Sequence, residues 1–495
     1  MSALVPTTAP GPAGQAAPPR ALTGRLGPVA IVFMVVAAAA PLTVVGGAAP
    51  LGILLGNGVG FPALYAVSGV ILLLFSVGLA AMTRVVPRPG AFFSFVGYGL
   101  GRRSGLAAAY LALLTYTTIQ VSVYGYVGFI LSGTFASLGL PVLPWWLWAL
   151  GVVAVVGVLG YRHIDLSSKV LGALLVGEVG IVLAVVAGVL LTGGAEGLSA
   201  APFEPSTVLS GSPAIGLMFA IAAFIGFEAT AIFRDEARDP ERTIPRATYA
   251  AVIGIAVFYT LASWGLVMAW GPSHVLDVVA ADPGGMIVAT TATYLGTAGE
   301  VIVQVLLVTS MFACVLSFHN VITRYQHTMS NAGLLPAAVG SVHPRHLSPH
   351  TSSFVQTATA AVLVGVFALL GLDPVLQVFT WFAGVATLAI AILMAVTSLA
   401  VIVWFRRTRV DSRRWNTLVA PTLGLLGLAA AAVAIVANFP LLVGDVDAAG
   451  AQRFGAVSAV LLGLVALFPL VGWVQAAILR RRRPESYARI TEAIG

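Results

Sequence analysis

The chain has 495 residues, of which 59% are hydrophobic and only 9% are charged, and its formal net charge at pH 7 is +7. Soluble proteins use roughly 25% charged residues, and the apolar stretches here repeatedly reach the length that crosses a bilayer, so the composition excludes an ordinary soluble protein and predicts an integral membrane protein. The basic residues lie in short loops and form no continuous face, which argues against nucleic-acid binding, and the single cysteine, Cys314, excludes an intramolecular disulfide.

Residues 1–24 are predicted to form a disordered cytoplasmic tail. The opening stretch is rich in Ala, Pro and Gly and carries no charge before Arg20. It also lacks the basic start and the apolar stretch of a secretory signal peptide.

Twelve apolar segments follow, and their lengths predict an all-α integral membrane protein with twelve transmembrane helices. In chain order the spans are expected at Pro28 to Leu55, Pro62 to Thr83, Gly105 to Ser137, Pro144 to Leu159, Ser167 to Thr192, Ser212 to Phe233, Arg246 to Trp270, Gly299 to Arg324, Thr351 to Leu372, Pro374 to Phe405, Thr417 to Phe439 and Gly455 to Arg480. With both termini in the cytoplasm, the basic loop residues fall inside and only Arg453 lies outside. This distribution is what the positive-inside rule predicts for a multi-pass protein of the cell membrane.

Glycine interrupts the first and sixth spans near their middle, at Gly46-Gly47 and at Gly226. Glycine weakens a helix interior by roughly 1 kcal/mol relative to alanine, and hydrocarbon cannot satisfy the backbone groups that it frees. Each interrupted span opens a run of five, so the defects occupy matching places in two halves, which is typical of a transporter's binding site. The alternative is that these glycines are packing contacts between helices. The substrate-binding residues expected at the interruptions are Val45, Gly46, Gly47, Ala48, Phe224, Ile225, Gly226 and Phe227.

The stretch from Phe219 to Ala247 resembles the sixth-helix signature of the amino acid–polyamine–organocation permeases, of the bacterial amino acid permease type. Its glycine break is followed by an acidic loop that closes with Pro240-Glu241-Arg242-Thr243-Ile244-Pro245-Arg246-Ala247. The resemblance implies a 5+5 inverted-repeat (LeuT-like) fold with two additional C-terminal helices. The expected divisions are residues 25–193 for the first repeat, 194–405 for an outer loop and the second repeat, 406–480 for helices 11 and 12, and 481–495 for a basic cytoplasmic tail.

Two facing helix interruptions suit a zwitterion. The positive end of a half-helix attracts a carboxylate, and free carbonyl groups attract an ammonium group. Phe224 and Phe227 are also candidate gates or cation–π partners. By resemblance, the third helix borders the site and presents Thr117 and Gln120 to it.

Acidic residues at membrane depth are costly and indicate function by default. Glu178, in the middle of the fifth span, and Glu228, beside the sixth-span break, are therefore the candidates for proton coupling. The alternatives are that Glu178 bonds a neighbouring helix and that Glu228 holds the broken backbone. Sodium is less favoured, because only Ser317 is a suitably placed hydroxyl in the eighth span.

The sequence thus predicts a secondary active transporter that moves an amino acid by alternating access, with proton coupling. A polyamine or other organic amine permease or exchanger is the alternative, and a membrane-embedded enzyme is disfavoured because its candidate groups are scattered. No cofactor or metal is expected, since His343, His346 and His350 have no accompanying cysteine or clustered carboxylate. The substrate, the direction of transport and the oligomeric state are left open.

Overall fold

The computed structural model describes residues 27–86, 92–162, 168–228, 230, 237–331, 333–346, 348–447 and 451–493. The predicted N-terminal tail and residues 229 and 231–233 of the sixth predicted span lie outside these ranges. Within them the chain is helical, and the pairing of Val446 with Gln452 is an isolated bridge.

The main helices follow the predicted spans in order. They are α1 (Pro28–Ala38), α2 (41–57), α3 (Phe61–Val85), α4 (Phe92–Leu100), α5 (Arg102–Ser137), α6 (Trp145–Tyr161), α7 (Ser168–Thr192), α8 (Pro213–Ala222), α9 (Pro240–Trp270), α10 (Val275–Ala281), α11 (Met286–Asn331), α12 (His350–Leu369), α13 (Pro374–Thr408), α14 (Trp415–Val443), α15 (Ala456–Arg482) and α16 (Pro484–Ala493).

Nine segments within the described ranges are long and apolar enough to cross a membrane, and α6 and α8 are shorter apolar helices. One of the nine, Pro41–Val85, joins α2 and α3. These helices confirm the predicted class of all-helical membrane protein. A helix suits hydrocarbon because its backbone groups bond to one another within the segment. The count of twelve spans and the inverted repeat stay predictions.

Two regions differ in extent from the predicted spans. α11 begins thirteen residues before the expected Gly299, and Gly296, with φ of 68°, divides it into two parts. Glycine adopts a positive φ without the steric cost that a side chain brings, so it marks this kink. At the other end of the chain, residues 484–493 of the expected tail form α16, in which Ile490 is buried.

The centre of the bundle is built around α5 and α13. α5 packs against α4, α6, α11, α13 and α15, while α13 also packs against α4, α8 and α14. On one flank, α1 packs against α7 and α9, and α8 lies against the end of α2. This arrangement brings the interrupted first and sixth spans together beside α5, α11 and α13.

Candidate functional site

The first span is interrupted at Ala39-Ala40, and the prediction that the interruption falls at Gly46-Gly47 was wrong. α1 ends at Ala38, Ala40 adopts the left-handed conformation (φ 50°, ψ 71°), and α2 starts at Pro41. Proline disfavours the α conformation in the residue before it, and at the first position of a helix its missing N–H is not needed. A helix that reaches Ala40 must therefore stop there, and a new helix starts at the proline.

Gly46 and Gly47 instead lie within a helical π turn, residues 44–48. A Cβ at Gly46 would lie 2.8 Å from the Tyr126 hydroxyl, and one at Gly47 would lie 3.0 Å from Phe379 Cζ. The rings of Tyr126 and Phe379 pack against each other with centroids 5.2 Å apart. These two glycines therefore act as packing positions, while Val45 beside them is buried.

The sixth span is interrupted where the sequence predicts, at Gly226. α8 ends at Ala222, the next residues form tight turns, and Gly226 has φ of 112°. Only glycine adopts that backbone conformation without strain. Phe224 and Phe227, the two aromatic residues near Gly226, are both buried, and Phe227 packs edge-on against Phe75. The sixth span is therefore interrupted at Gly226 because glycine can adopt this positive φ.

The two interruptions face each other. A Cβ built at Gly226 would lie 4.0 Å from the backbone nitrogen of Ala39. Between them lies a cavity of about 40 Å³. Its lining residues are Ala39, Thr43, Val44, Ala48, Ile119, Val123, Phe219, Ala222, Ala223, Ile225, Cys314, Phe318, Phe379 and Ala383.

The cavity is small and almost shut off from solvent. Nearly all of its lining residues are less than a tenth exposed. A water molecule needs roughly 10–15 Å³ of such volume, so the cavity has room for about three. A solute larger than a few water molecules enters only if the surrounding helices separate.

Three helices contribute to the cavity by pairs of residues one turn apart. The pairs are Ile119 and Val123 of α5, Cys314 and Phe318 of α11, and Phe379 and Ala383 of α13. Each pair has the i, i+4 spacing of a single helix face. Sequence reasoning missed these residues, because an apolar residue that lines a cavity has the same character as one that packs.

The residues expected from α5, Thr117 and Gln120, are not in the cavity lining. The Gln120 amide donates to the Val315 carbonyl at 2.9 Å and accepts from Gln356 Nε2 at 2.8 Å. Thr117 is partly exposed. Gln120 therefore links α5 to α11 and α12.

Glu178 reaches the first interruption. Its Oε2 accepts the Leu42 N–H at 3.1 Å and the Ser310 hydroxyl at 2.8 Å, and Thr43 donates in turn to Ser310 at 3.2 Å. The Leu42 N–H is among the first of α2, which have no partner inside the helix. One carboxyl group thus joins α7, α2 and α11 at the point where the first span unwinds.

Glu228 holds the second interruption. Its Oε2 accepts the Gly226 N–H at 2.8 Å, and its Oε1 accepts the Tyr116 hydroxyl at 2.6 Å. The side chain is buried and does not line the cavity. This geometry matches the structural alternative, in which Glu228 fixes the broken backbone.

A family comparison agrees with this architecture, since a model of the amino acid permease family matches residues 31–488. The chain belongs to the amino acid permease family. This confirms the resemblance to the amino acid–polyamine–organocation permeases and makes the chain a transporter.

Curated relatives of this permease differ in substrate. The low-affinity putrescine importer PlaP of Escherichia coli K12 is 23% identical over 320 residues, which cover 63% of this chain and 67% of that protein. The branched-chain amino acid permease BcaP of Bacillus subtilis is 24% identical over 328 residues, which cover 62% and 67%. An uncharacterized transporter of Mycobacterium tuberculosis is 30% identical over 150 residues, which cover 30% and 32%.

Proposed function

We propose that this permease is a secondary active transporter that carries an amino acid across the cell membrane by alternating access, with proton coupling. The observation that carries the proposal is the buried cavity at which two helix interruptions meet. Because the cavity has room for about three water molecules, it corresponds to a closed state. Entry and exit of a substrate then require the helices to separate on one side at a time.

The half-helix ends at the cavity suit the two charges of an amino acid. α2 begins there, with Thr43 and Val44 in the wall, and α8 ends there, with Phe219 and Ala222 in the wall. A helix start carries a partial positive charge and a helix end a partial negative charge. The substrate carboxylate therefore binds toward α2 and the ammonium group toward the carbonyl groups at the end of α8.

The cavity wall favours a neutral amino acid over a diamine. Among the residues that the structure describes, the wall carries no charged side chain and consists mainly of Ala, Val, Ile and Phe. A diamine such as putrescine would leave its second ammonium group buried and unpaired, which is costly. A small apolar side chain meets no such penalty.

Glu178 is the group that we assign to proton coupling. Hydrogen bonds to a charged carboxylate are roughly twice as strong as those to a neutral group. A proton on Glu178 therefore weakens its bonds to Leu42 and Ser310 and loosens the contact between α7, α2 and α11. Proton binding and helix separation are linked through this one side chain.

Uptake into proteoliposomes tests the function. Labelled alanine, leucine and putrescine are offered separately, with and without an inward proton gradient. The proposal expects the gradient to drive accumulation of a neutral amino acid above its external concentration. Accumulation of putrescine alone would support the amine alternative, and accumulation of none across a broad amino acid and polyamine panel would refute the transport proposal.

The native cysteine provides an independent test of alternating access. Cys314 lines the cavity, is buried and is the one thiol in the sequence. We expect a membrane-impermeant maleimide to label it slowly, and saturating substrate to change the labelling rate. Cys314→Ala is the unlabelled control. A labelling rate that no transported substrate alters would contradict the assignment of this cavity as the binding site.

A further inference from the structure

A surface groove lies between α6 and α12, at the end of the bundle where α6 finishes and α12 begins. Its volume is about 410 Å³. The lining residues are Ala154, Gly157, Val158, Tyr161, Arg162, Ser353, Phe354 and Thr357. Phe354 is 71% exposed and Val158 is 55% exposed, so the apolar part of the groove faces outward from the bundle. In a membrane that surface is in contact with lipid.

Basic side chains surround the end of the groove at Tyr161. The Tyr161 ring lies 5.3 Å from the ring of His343, 6.2 Å from that of His346 and 5.9 Å from that of His350. Arg162 follows Tyr161 in the groove wall, and the backbone of Arg345 bonds to His343. We call this group the basic mouth; its members are Arg162, His343, Arg345, His346 and His350.

The basic mouth has no charge partner of its own within the described part of the chain. Neither Arg162 nor Arg345 forms an ion pair there. The pKa of His343 lies below its ordinary value of 6.5, first because of partial burial and then because His346, His350 and Arg345 repel a further positive charge. The described residues also include no group of three or more His, Cys, Asp or Glu side chains placed to hold a metal ion. The mutual repulsion of His343, His346, His350 and Arg345 makes this cluster complementary to an anion.

We propose that this groove binds one anionic phospholipid, with an acyl chain along Ala154, Val158 and Phe354 and the phosphate in the basic mouth. The exposed apolar surface continues into a cationic end. A phospholipid can contact both parts, whereas free phosphate can contact only the cationic end. Basic pockets between membrane helices recognise anionic headgroups by this combination. By the loop charges, this end of the bundle is the cytoplasmic one, where anionic lipids are concentrated.

Native mass spectrometry of the full-length protein in detergent tests the proposal. Phosphatidylglycerol and phosphatidylcholine with the same acyl chains are titrated against the wild type and the double variant Arg162→Ala/Arg345→Ala. We expect the wild type to prefer phosphatidylglycerol and the double variant to bind it about 30-fold more weakly, which corresponds to roughly 2 kcal/mol for two arginines. The matched control is Arg481→Ala/Arg482→Ala, which removes two exposed arginines at the end of α15 and should bind like the wild type. Equal affinity for both lipids, or equal losses in both double variants, overturns the proposal.

A second variant separates the acyl contact from the headgroup contact. Ala154 is exposed, so Ala154→Phe fills the groove without disturbing the packed interior. It should weaken phosphatidylglycerol binding, and inorganic phosphate or glycerol phosphate at millimolar concentration should fail to compete. Unchanged lipid affinity in Ala154→Phe would contradict an acyl chain along this groove, and full competition by inorganic phosphate would show that the basic mouth binds a free anion.

Protonation gives a third readout. The titratable and charged groups facing His343 are Arg345 and His346 of its own loop, His350 of α12 and Tyr161 of α6, which Arg162 follows in the groove wall. A bound anion favours the charged form of His343, whose pKa without the anion lies below 6.5, so affinity should rise as the pH falls toward that lowered pKa. His343→Gln should reduce that dependence, and an affinity independent of pH in the wild type would contradict a role for His343.

Discussion

Replacing Glu178 by glutamine should uncouple transport from the proton gradient. The carboxylate accepts two hydrogen bonds through one oxygen, from Leu42 N–H and from the Ser310 hydroxyl. A hydrogen bond to a charged group contributes roughly 1.5–3 kcal/mol and a neutral one roughly 0.5–1.5 kcal/mol, so the neutral amide loses about 1 kcal/mol per bond. The total of about 2 kcal/mol shifts the ratio of closed to open molecules about 30-fold toward open.

The assay compares two modes of transport in the same proteoliposomes. Glu178→Gln should lose accumulation driven by a proton gradient and keep exchange of internal for external substrate, because exchange needs no net proton movement. Glu204→Gln, which changes an exposed loop carboxylate, is the control and should behave as the wild type in both modes. Gradient-driven accumulation by Glu178→Gln at the wild-type level would refute the coupling role. Loss of both modes with a normal melting temperature would show that Glu178 acts in binding or gating instead.

Three further predictions concern Gly226, Gly47 and the loop between α14 and α15. Gly226→Ala should lower the free energy of unfolding by about 1–3 kcal/mol and reduce transport, because a residue with a side chain is strained at φ of 112°. The control is Gly254→Ala in α9, where a Cβ would meet no atom within 4 Å. This variant should be neutral or slightly stabilising when melting is measured in detergent. Gly47→Ala should cost about 1–3 kcal/mol by overpacking against aromatic rings; an unchanged melting temperature would contradict the tight contact. Asp445 accepts bonds from the hydroxyl and N–H of Ser458, which lower its pKa below the ordinary 3.8. Asp445→Asn should therefore cost up to about 1 kcal/mol at pH 7. The difference in stability from wild type should begin to shrink below the ordinary pKa of 3.8 and disappear as the pH falls through the lowered pKa of the folded carboxyl, because protonation removes the same stabilisation. A difference that does not change with pH below 3.8 would contradict this origin.

The sequence by itself determined the class of protein and one of the two interruptions. Long apolar segments must be helices in a bilayer, because no water is present to satisfy open backbone groups. Gly226 could be recognised because the break needs a backbone conformation that only glycine adopts freely. In the first span, Pro41 marks the true position of the break, because proline disfavours the α conformation of the preceding residue. The two adjacent glycines, Gly46 and Gly47, led to a prediction several residues too far along the chain.

Only the tertiary structure decided what the central residues contact. Gly46 and Gly47 are packing positions because Tyr126 and Phe379 fill the space where their side chains would be, and these aromatic residues come from helices distant in the sequence. α5 is buried on nearly every side, so its sequence shows no division into a polar and an apolar face. The sequence therefore could not indicate that Ile119 lines the cavity and Gln120 does not. Glu178 meets Leu42 across 136 residues of chain. Local sequence reports which groups are costly in hydrocarbon, but the partner that satisfies each of them depends on how the helices pack.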